Sequence, residues 1–362
     1  MSYYNIKPIL KKNATYSIIF GERSNGKTYA TLKIALEKFF KGGEQFIYLR
    51  RWKEDINNKR GSTIFNPLIE NGEIERLSNG LYQGVFFYTG KFYLCTYDEN
   101  RKPIYNESDL LGYALCLTDT EHDKSTSYPK ITSIIFDEFL TNRLYLQDEF
   151  VIFMNVISTI VRRRENVKIF MLGNTVNKYC PYFQEMGLDN ILDMKQGTID
   201  IYNYGDSGLT VAVEYCETLK SKHSKESRKY FAFNNPKLQM ITGGAWELAI
   251  YPHLPVKYKP NDVLLTFFIE FSDNIFACEL ISQGELNFIY IHEKTTPVKD
   301  TENSIIYSFT PNAKMNYNTN LFKPKTKIQA KILEFFKFNH VFYQNNSVGD
   351  AVANFIKICK GA

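Results

Sequence analysis

With 362 residues, 44% of them apolar, the chain is too long for a single small module and has enough apolar side chain to fill cores in two domains. Its net charge of +5 is a mild basic excess, which permits contact with a polyanion without requiring it. The six cysteines (Cys95, Cys116, Cys180, Cys216, Cys278, Cys359) lie far apart, with no C-x-x-C pair and no histidine at zinc-ligand spacing, and read as buried thiols of a reducing compartment. No N-terminal signal peptide is visible. The longest mostly apolar stretch, Phe150 to Val161, is shorter than the roughly 20 residues needed to span a bilayer, so a soluble, intracellular protein without a membrane segment is expected.

The first predicted strand, Tyr16 to Phe20, runs directly into Gly21-Glu22-Arg23-Ser24-Asn25-Gly26-Lys27-Thr28, the spacing G-x-x-x-x-G-K-[ST]. The glycines let the backbone curl so that successive N–H groups point at phosphate oxygens. Lys27 then reaches the β and γ phosphates, and the Thr28 hydroxyl can ligate Mg²⁺. Tyr29 to Phe40 is apolar at helical spacing and stops at Gly42-Gly43, so the loop opens a helix whose positive end faces the anion. The prediction is an ATP site spanning Gly21 to Thr28.

A second strand, Phe46 to Leu49, is followed by Arg50-Arg51-Trp52-Lys53, cations beside an aromatic that either contact nucleotide or nucleic-acid phosphate or form an exposed strand end. Residues Asn57 to Pro129 are turn-rich, with a hairpin-like pattern across Tyr82 to Tyr97, and read as an insertion or lid beside the nucleotide. Within His122 to Pro129, a polar loop by composition, Lys124 is the only cation suited to a ligand.

Ile131 to Phe136 is an apolar strand ending in Asp137-Glu138, 110 residues beyond Lys27. Burying two carboxylates at a strand end is costly unless a metal or a donor receives them. Asp137 is expected to hold Mg²⁺ through its water shell, and Glu138, on the other face of the pleat, to polarise the water that attacks the γ phosphate. An adjacent Glu favours hydrolysis over transfer to a bound acceptor. From Phe150 to Val161 the apolar residues fall at helical spacing after Asp148-Glu149, and the helix ends in Arg162-Arg163-Arg164. Arg164 continues the apolar stripe, whereas Arg162 and Arg163 point away from it. They either enter a neighbouring subunit's site to neutralise transition-state charge or complement the helix macrodipole. The next strand, Val167 to Leu172, leads to Asn174, which either senses the γ phosphate or forms a turn.

Strands alternating with helices predict a parallel α/β sheet across residues 1–216. The lysine-rich stretch from Glu217 begins a basic linker, 217–248, and residues 249–362 form a smaller α+β domain. There Glu270 and Asp350 come closest to nuclease acids but are too few and unpatterned, and the five histidines make no metal pattern, so a nucleic-acid-binding or docking role is expected.

Together, Gly21 to Thr28, Phe46 to Lys53, Lys124 to Pro129, Ile134 to Phe139, Thr159 to Glu165 and Pro181 to Phe183 resemble the DNA encapsidation ATPases of small podoviruses with protein-primed genomes. The likeness is ordered and specific over most of the first two hundred residues and weak beyond. It implies a P-loop motor of the additional-strand, catalytic-glutamate type that uses ATP and Mg²⁺. It further implies a homopentameric ring at the portal vertex of an empty procapsid in the host cytoplasm, moving double-stranded DNA inward, with the portal, the prohead and a structural RNA as partners. The family's phosphate-loop lysine falls on Lys27, its acidic pair on Asp137 and Glu138, and its trans-acting arginine on Arg162. Two nucleotide-responsive lysines fall on Lys53 and Lys124. The resemblance also implies an RNase H-like C-terminal domain that lacks the catalytic acids. The triple arginine departs from the family pattern and leaves open which side chain acts in trans. Other readings are a helicase, a GTPase, a small-molecule kinase, or a non-catalytic adaptor gated by nucleotide. Asn177-Lys178-Tyr179-Cys180 lacks the Asp that would read guanine, and no acceptor pocket for a kinase is evident.

Overall fold

A strand buried on both pleat faces needs helices on either side of its sheet, and the N-terminal part of the chain supplies them. The computed structural model describes residues 4–119, 127–141, 145–175, 179–217, 251–254, 256–272, 274–299 and 301–361. The chain divides into two compact units, residues 1–246 and 247–362. The expected linker and Lys124 lie outside the described residues, apart from Glu217 at the linker's start.

In the first unit the strands are β1 (Tyr16–Gly21), β2 (Gln45–Arg50), β3 (Gly84–Tyr88), β4 (Lys91–Tyr97), β5 (Pro103–Ile104), β6 (Leu110–Cys116), β7 (Ile131–Asp137), β8 (Lys168–Asn174), β9 (Thr198–Asn203) and β10 (Thr210–Tyr215). They form one sheet in the order β3-β4-β6-β2-β7-β8-β1-β10-β9, with β5 beside β4. From β6 to β10 the neighbours run parallel, and the outer strands β4, β3 and β9 are antiparallel. Strand β8 stands between β1 and β7, pairing Gly21 with Asn174 on one side and Asp137 with Leu172 on the other. This is the additional strand that the family resemblance implies. It sets the two strands bearing the predicted chemistry two spacings, or about 10 Å, apart.

The helices are α1 (Lys7–Leu10), α2 (Lys27–Gly42), α3 (Asn58–Gly61), α4 (Asn66–Glu70), α5 (Glu73–Leu77), α6 (Glu149–Val161) and α7 (Pro181–Glu185). Every residue of β1 and β7 is buried. Ile18, Phe20, Ile134 and Phe136 face a core shared with Phe153, Ile157 and Ile160 of α6 and Tyr182 of α7. Ile19, Tyr48 and Ile135 face the other core, with Leu32 and Leu36 of α2 and Leu68 of α4. Helix α2 stops where Gly43 takes a left-handed φ of 67° and donates its N–H to the Phe39 carbonyl at 2.7 Å.

Two expectations change here. The stretch Asn57 to Pro129 is no separate insertion: β6 pairs in parallel with β2, and the β3–β4 hairpin continues the same sheet. The β6 run Leu110–Cys116 is apolar, but the turns and short helices around it hid its place between β4 and β2. The helix begins at Asp148-Glu149 as expected, and the second change concerns Arg51. Asp148 has a left-handed φ of 52° and makes no capping hydrogen bond, while Glu149 is buried and paired with Arg51 through Nε–Oε2 at 2.8 Å and Nη2–Oε1 at 2.9 Å. Glu149 also accepts hydrogen bonds from the Tyr182 hydroxyl and the Leu146 N–H, each at 2.8 Å. Arg51 donates as well to the carbonyls of Phe139 and Glu138. It is therefore an internal brace between β2, α6 and the turn after β7, and no phosphate contact.

In the second unit, β11 (Val263–Phe271), β12 (Asn274–Gln283), β13 (Leu286–Lys294), β14 (Ile306–Ser308), β15 (Tyr317–Asn318) and β16 (Val341–Tyr343) form a sheet in the order β15-β14-β11-β12-β13-β16. Three antiparallel strands are followed by β14 parallel to β11, the succession expected of an RNase H-like sheet. Helices α8 (Lys327–Lys337) and α9 (Asn346–Gly361) complete it, with Phe355 of α9 against Phe309 and Phe271. Glu270 stands opposite Ser308 in the ladder and Asp350 accepts from the Tyr251 hydroxyl. Among the described residues no group of three His, Cys, Asp or Glu is placed to hold a metal, and no helix is long and apolar enough to cross a membrane.

Removing one member of a buried ion pair strands the other, at a cost of about 3–5 kcal/mol. Arg51→Met is therefore expected to lower unfolding free energy in urea by about that amount, and Arg51→Met/Glu149→Leu to recover much of it. A single variant as stable as the wild type would remove the brace.

Candidate nucleotide site

The carboxyl ends of β1, β7 and β8 lie side by side, the edge of a parallel sheet where ligands bind. Gly21 ends β1, and a Cβ there would come within 2.9 Å of the Cys216 Cβ, so only glycine lets the chain pass this close. The loop turns through Ser24 at φ 59° and Gly26 at φ 92° into α2. Its outer side is tied to the N-terminal segment, where the Tyr4 N–H donates to the Asn25 carbonyl at 2.9 Å.

Lys27 is buried, at 6% exposure, and its ammonium is held by three neutral acceptors: the Glu22 carbonyl at 2.7 Å, Asn25 Oδ1 at 3.1 Å and Asn174 Oδ1 at 3.4 Å. Burial pulls its pKa below the usual lysine value, against the opposing influence of Cys216, Asp137 and Glu22. The Asn25 side-chain amide is also buried, beside the Cys216 thiol. A buried ammonium whose hydrogen-bond partners are neutral fits an incoming triphosphate.

The Thr28 hydroxyl donates to Asp137 Oδ2 at 3.1 Å across 109 positions of sequence, the arrangement of a hydroxyl and a carboxylate that could share Mg²⁺. Asp137 Oδ2 also accepts from the Tyr48 hydroxyl at 2.8 Å, and Oδ1 from the Glu138 N–H at 3.0 Å. Tyr48, deep in β2, was not singled out from sequence. Its only signal there is a polar tip in an apolar strand, in register with the acid strand. Burial, then the Asp137 charge, raise its pKa well above the tyrosine value, so it stays a donor.

Glu138 lies beyond the end of β7 in a left-handed conformation, φ 58°, so the turn and not the pleat sets its direction. Its carboxylate is half exposed and paired with Arg50, which also contacts Asp55 at 3.3 Å. Lys53 is exposed and paired with Asp119 at 2.6 Å. Glu22 is partly buried, and Arg23 and Ser24 are exposed. Asn174 is thus joined to Lys27, Thr28 to Asp137, and Arg50 to Glu138, whereas Lys53 stands on another partner.

At the far end of α6, Arg164 folds back to donate to the carbonyls of Pro129, Ile131, Ile160 and Val161. Arg162 and Arg163 both take left-handed backbones, φ 40° and 68°, and are exposed. They border a groove of about 510 Å³ with Met154, Ile157, Ser158 and Val161.

A family model for the podovirus DNA encapsidation protein (Gp16) matches residues 1–230. The DNA packaging protein of Bacillus phage phi29 is 30% identical over 184 residues, 50% of this chain and 49% of that protein. That of Bacillus phage B103 is 32% identical over 183 residues, 50% of each. The chain thus spans about half the length of the curated relatives it matches. Among solved structures, the bacteriophage Phi-29 viral genome packaging motor assembly contains a chain with a similar fold, at 21% identity and a TM-score of 0.59, covering 99% of this chain and 100% of that one.

Because folding lowers the Lys27 pKa, the folded state releases this proton at a lower pH than the unfolded chain does, and the penalty for its charge is full at neutral pH. As pH rises toward the ordinary lysine value of about 10.4, that penalty fades and the folded state gains. Wild type should therefore gain stability relative to Lys27→Met between pH 7 and about pH 10 in paired denaturant titrations. A difference that stays flat, or that shrinks in favour of the variant, contradicts the burial cost.

Proposed function

This chain belongs to the podovirus DNA encapsidation protein family, and from that premise we propose that it hydrolyses ATP to drive double-stranded DNA into an empty capsid. The observation that carries the reading is the 3.1 Å hydrogen bond between Thr28 and Asp137, beside the buried Lys27 ammonium. A glycine-bearing turn without a ligand gives no reason for a distant acid to meet that particular hydroxyl.

In this reading the backbone N–H groups from Gly21 to Thr28 (Glu22, Arg23, Ser24, Asn25 and Gly26 between them) cradle the phosphates. Lys27 gives up its neutral acceptors for phosphate oxygens. Thr28 and Asp137 would hold Mg²⁺, which would supply charge neutralisation at the phosphates. Glu138 takes a proton from the water that attacks the γ phosphorus as the bond to the ADP oxygen breaks, giving ADP and phosphate. Asn174, already bonded to Lys27, orients that water or senses the γ phosphate. The family resemblance assigns nucleotide-responsive roles to Lys53 and Lys124.

Arg162 completes the site of the next subunit in a homopentameric ring. Its exposed position supports this, as does the engagement of Arg164 with four carbonyls, which leaves that side chain no reach. Residues 1–216 are then the ATPase domain, 217–248 a basic linker and 249–362 a nucleic-acid-binding or docking domain. The ring works in the host cytoplasm at the portal vertex of the procapsid, with the portal, the prohead and a structural RNA as partners.

Glu138→Gln keeps the size of the side chain and removes the base. It is expected to bind ATP with near wild-type affinity while turnover falls by about 10²-fold or more, read by nucleotide titration alongside phosphate release. Turnover at the normal rate in this variant ends its role as base. Mixtures of Arg162→Ala and Lys27→Ala subunits test action in trans. Hydrolysis should reappear in mixed rings, because some interfaces then pair an intact loop with an intact arginine, and silence at every mixing ratio argues against the shared site.

A further inference from the structure

The second unit has an unusual charge chemistry. Residues 247–362 contain twelve lysines and no arginine, and from Asn303 to Leu333 the chain holds five lysines and no acid. Four of these, Lys323, Lys325, Lys327 and Lys331, crowd the entry and first turn of α8, all exposed. Lys327 and Lys331 sit one turn apart on the same face, where like charges repel, and both lie at the positive end of the helix. Local stability disfavours this arrangement. The fold adds to it from elsewhere in sequence. Lys360, near the end of α9, places its ammonium 5.2 Å from the Phe322 ring, next to Lys323. The Asn320 side chain fixes that junction by donating to the Cys359 carbonyl at 2.8 Å.

Two helix ends thus bring one set of lysines together, and we infer that the surface formed by Lys325, Lys327, Lys331 and Lys360 binds the phosphate backbone of duplex DNA. The chemistry favours a duplex over folded or single-stranded RNA, whose recognition draws on arginine planes and stacked aromatics. Lysine is a hydrated point charge that carries no bidentate geometry, so these contacts are indifferent to sequence. The inference rests on the DNA-translocase reading and gives it residues that hold the DNA.

The experiment measures binding of full-length protein to a random-sequence DNA duplex across a salt series, for wild type and for a variant with Lys325, Lys327, Lys331 and Lys360 all changed to Gln. Each phosphate contact contributes about 0.9 to the slope of log K against log salt, so the variant should lose about three to four from the slope and bind at least tenfold more weakly at low salt. A control with Lys257, Lys259, Lys294 and Lys299 changed to Gln has the same net charge and should keep the wild-type slope. ATP affinity, measured on all three proteins, reports that the first unit is intact, and the melting profile does so for the second. An unchanged slope in the first variant, or an equal loss in the control, overturns the assignment while leaving the translocase reading in place. So does loss of binding to duplex RNA with DNA binding retained. Wild type that fails to bind duplex DNA at any salt overturns both.

Discussion

A carboxylate at the end of a strand buried along its whole length must be met by donors, and the way Asp137 is met governs the geometry around it. Its oxygens receive a hydroxyl from β2, a hydroxyl from the start of α2 and the N–H of the residue that follows. Each of these fixes an element. Tyr48 keys β2 to β7, Thr28 draws the beginning of α2 across the width of β8, and the Glu138 N–H holds the chain in its left-handed turn. An acid left without them would pay a desolvation cost of several kcal/mol. The site is thereby assembled before any ligand arrives.

Lys27 works in the opposite sense. Its partners are a carbonyl and two side-chain amides, dipoles that satisfy hydrogen bonds without cancelling charge. The cation remains electrostatically exposed in a place from which water is largely excluded, and that is why burial lowers its pKa. An anion entering here gains from a penalty already incurred in folding. Pre-organisation of this kind spares the ligand most of the reorganisation that a surface lysine would require.

How much of this was readable from residues alone depended on whether a feature was local. The phosphate loop is a contiguous motif between a strand and a helix, and its two partners, Asp137 and Asn174, end apolar strands, so all three could be named without coordinates. What could not be read was pairing. Arg50 and Arg51 are adjacent and look alike in sequence, yet alternation along an extended chain sends one toward Glu138 at the rim and the other into a buried pair with Glu149. Strand β6 sits among turns and short helices, and its parallel pairing with the distant β2 could not be read, so this side of the sheet looked like an insertion. Tyr48 was hidden for the same reason as Arg51, since the value of its polar tip comes from a partner 89 positions away. In the second unit the strand succession was visible, but the meeting of Lys360 with Phe322 depends on how α9 packs.

The second unit draws its cations from lysine alone, whereas the first uses both types, and the difference follows from what each cation must do. All arginines lie at or before Arg228, and two of them serve as fixed forks: Arg51 spans Glu149 and two carbonyls, and Arg164 closes the end of α6 on four. A planar fork suits a contact that should not let go, because its donors match a carboxylate or a set of carbonyls in one geometry. A chain proposed to move DNA needs the reverse at the DNA surface. There each contact must form without regard to sequence and release when the duplex advances, and a hydrated ammonium screened over about 10 Å by physiological salt does both. The arginine-free composition of residues 247–362 fits a surface used for such repeated, releasable contact, while Arg51 and Arg164 stand where the structure must hold.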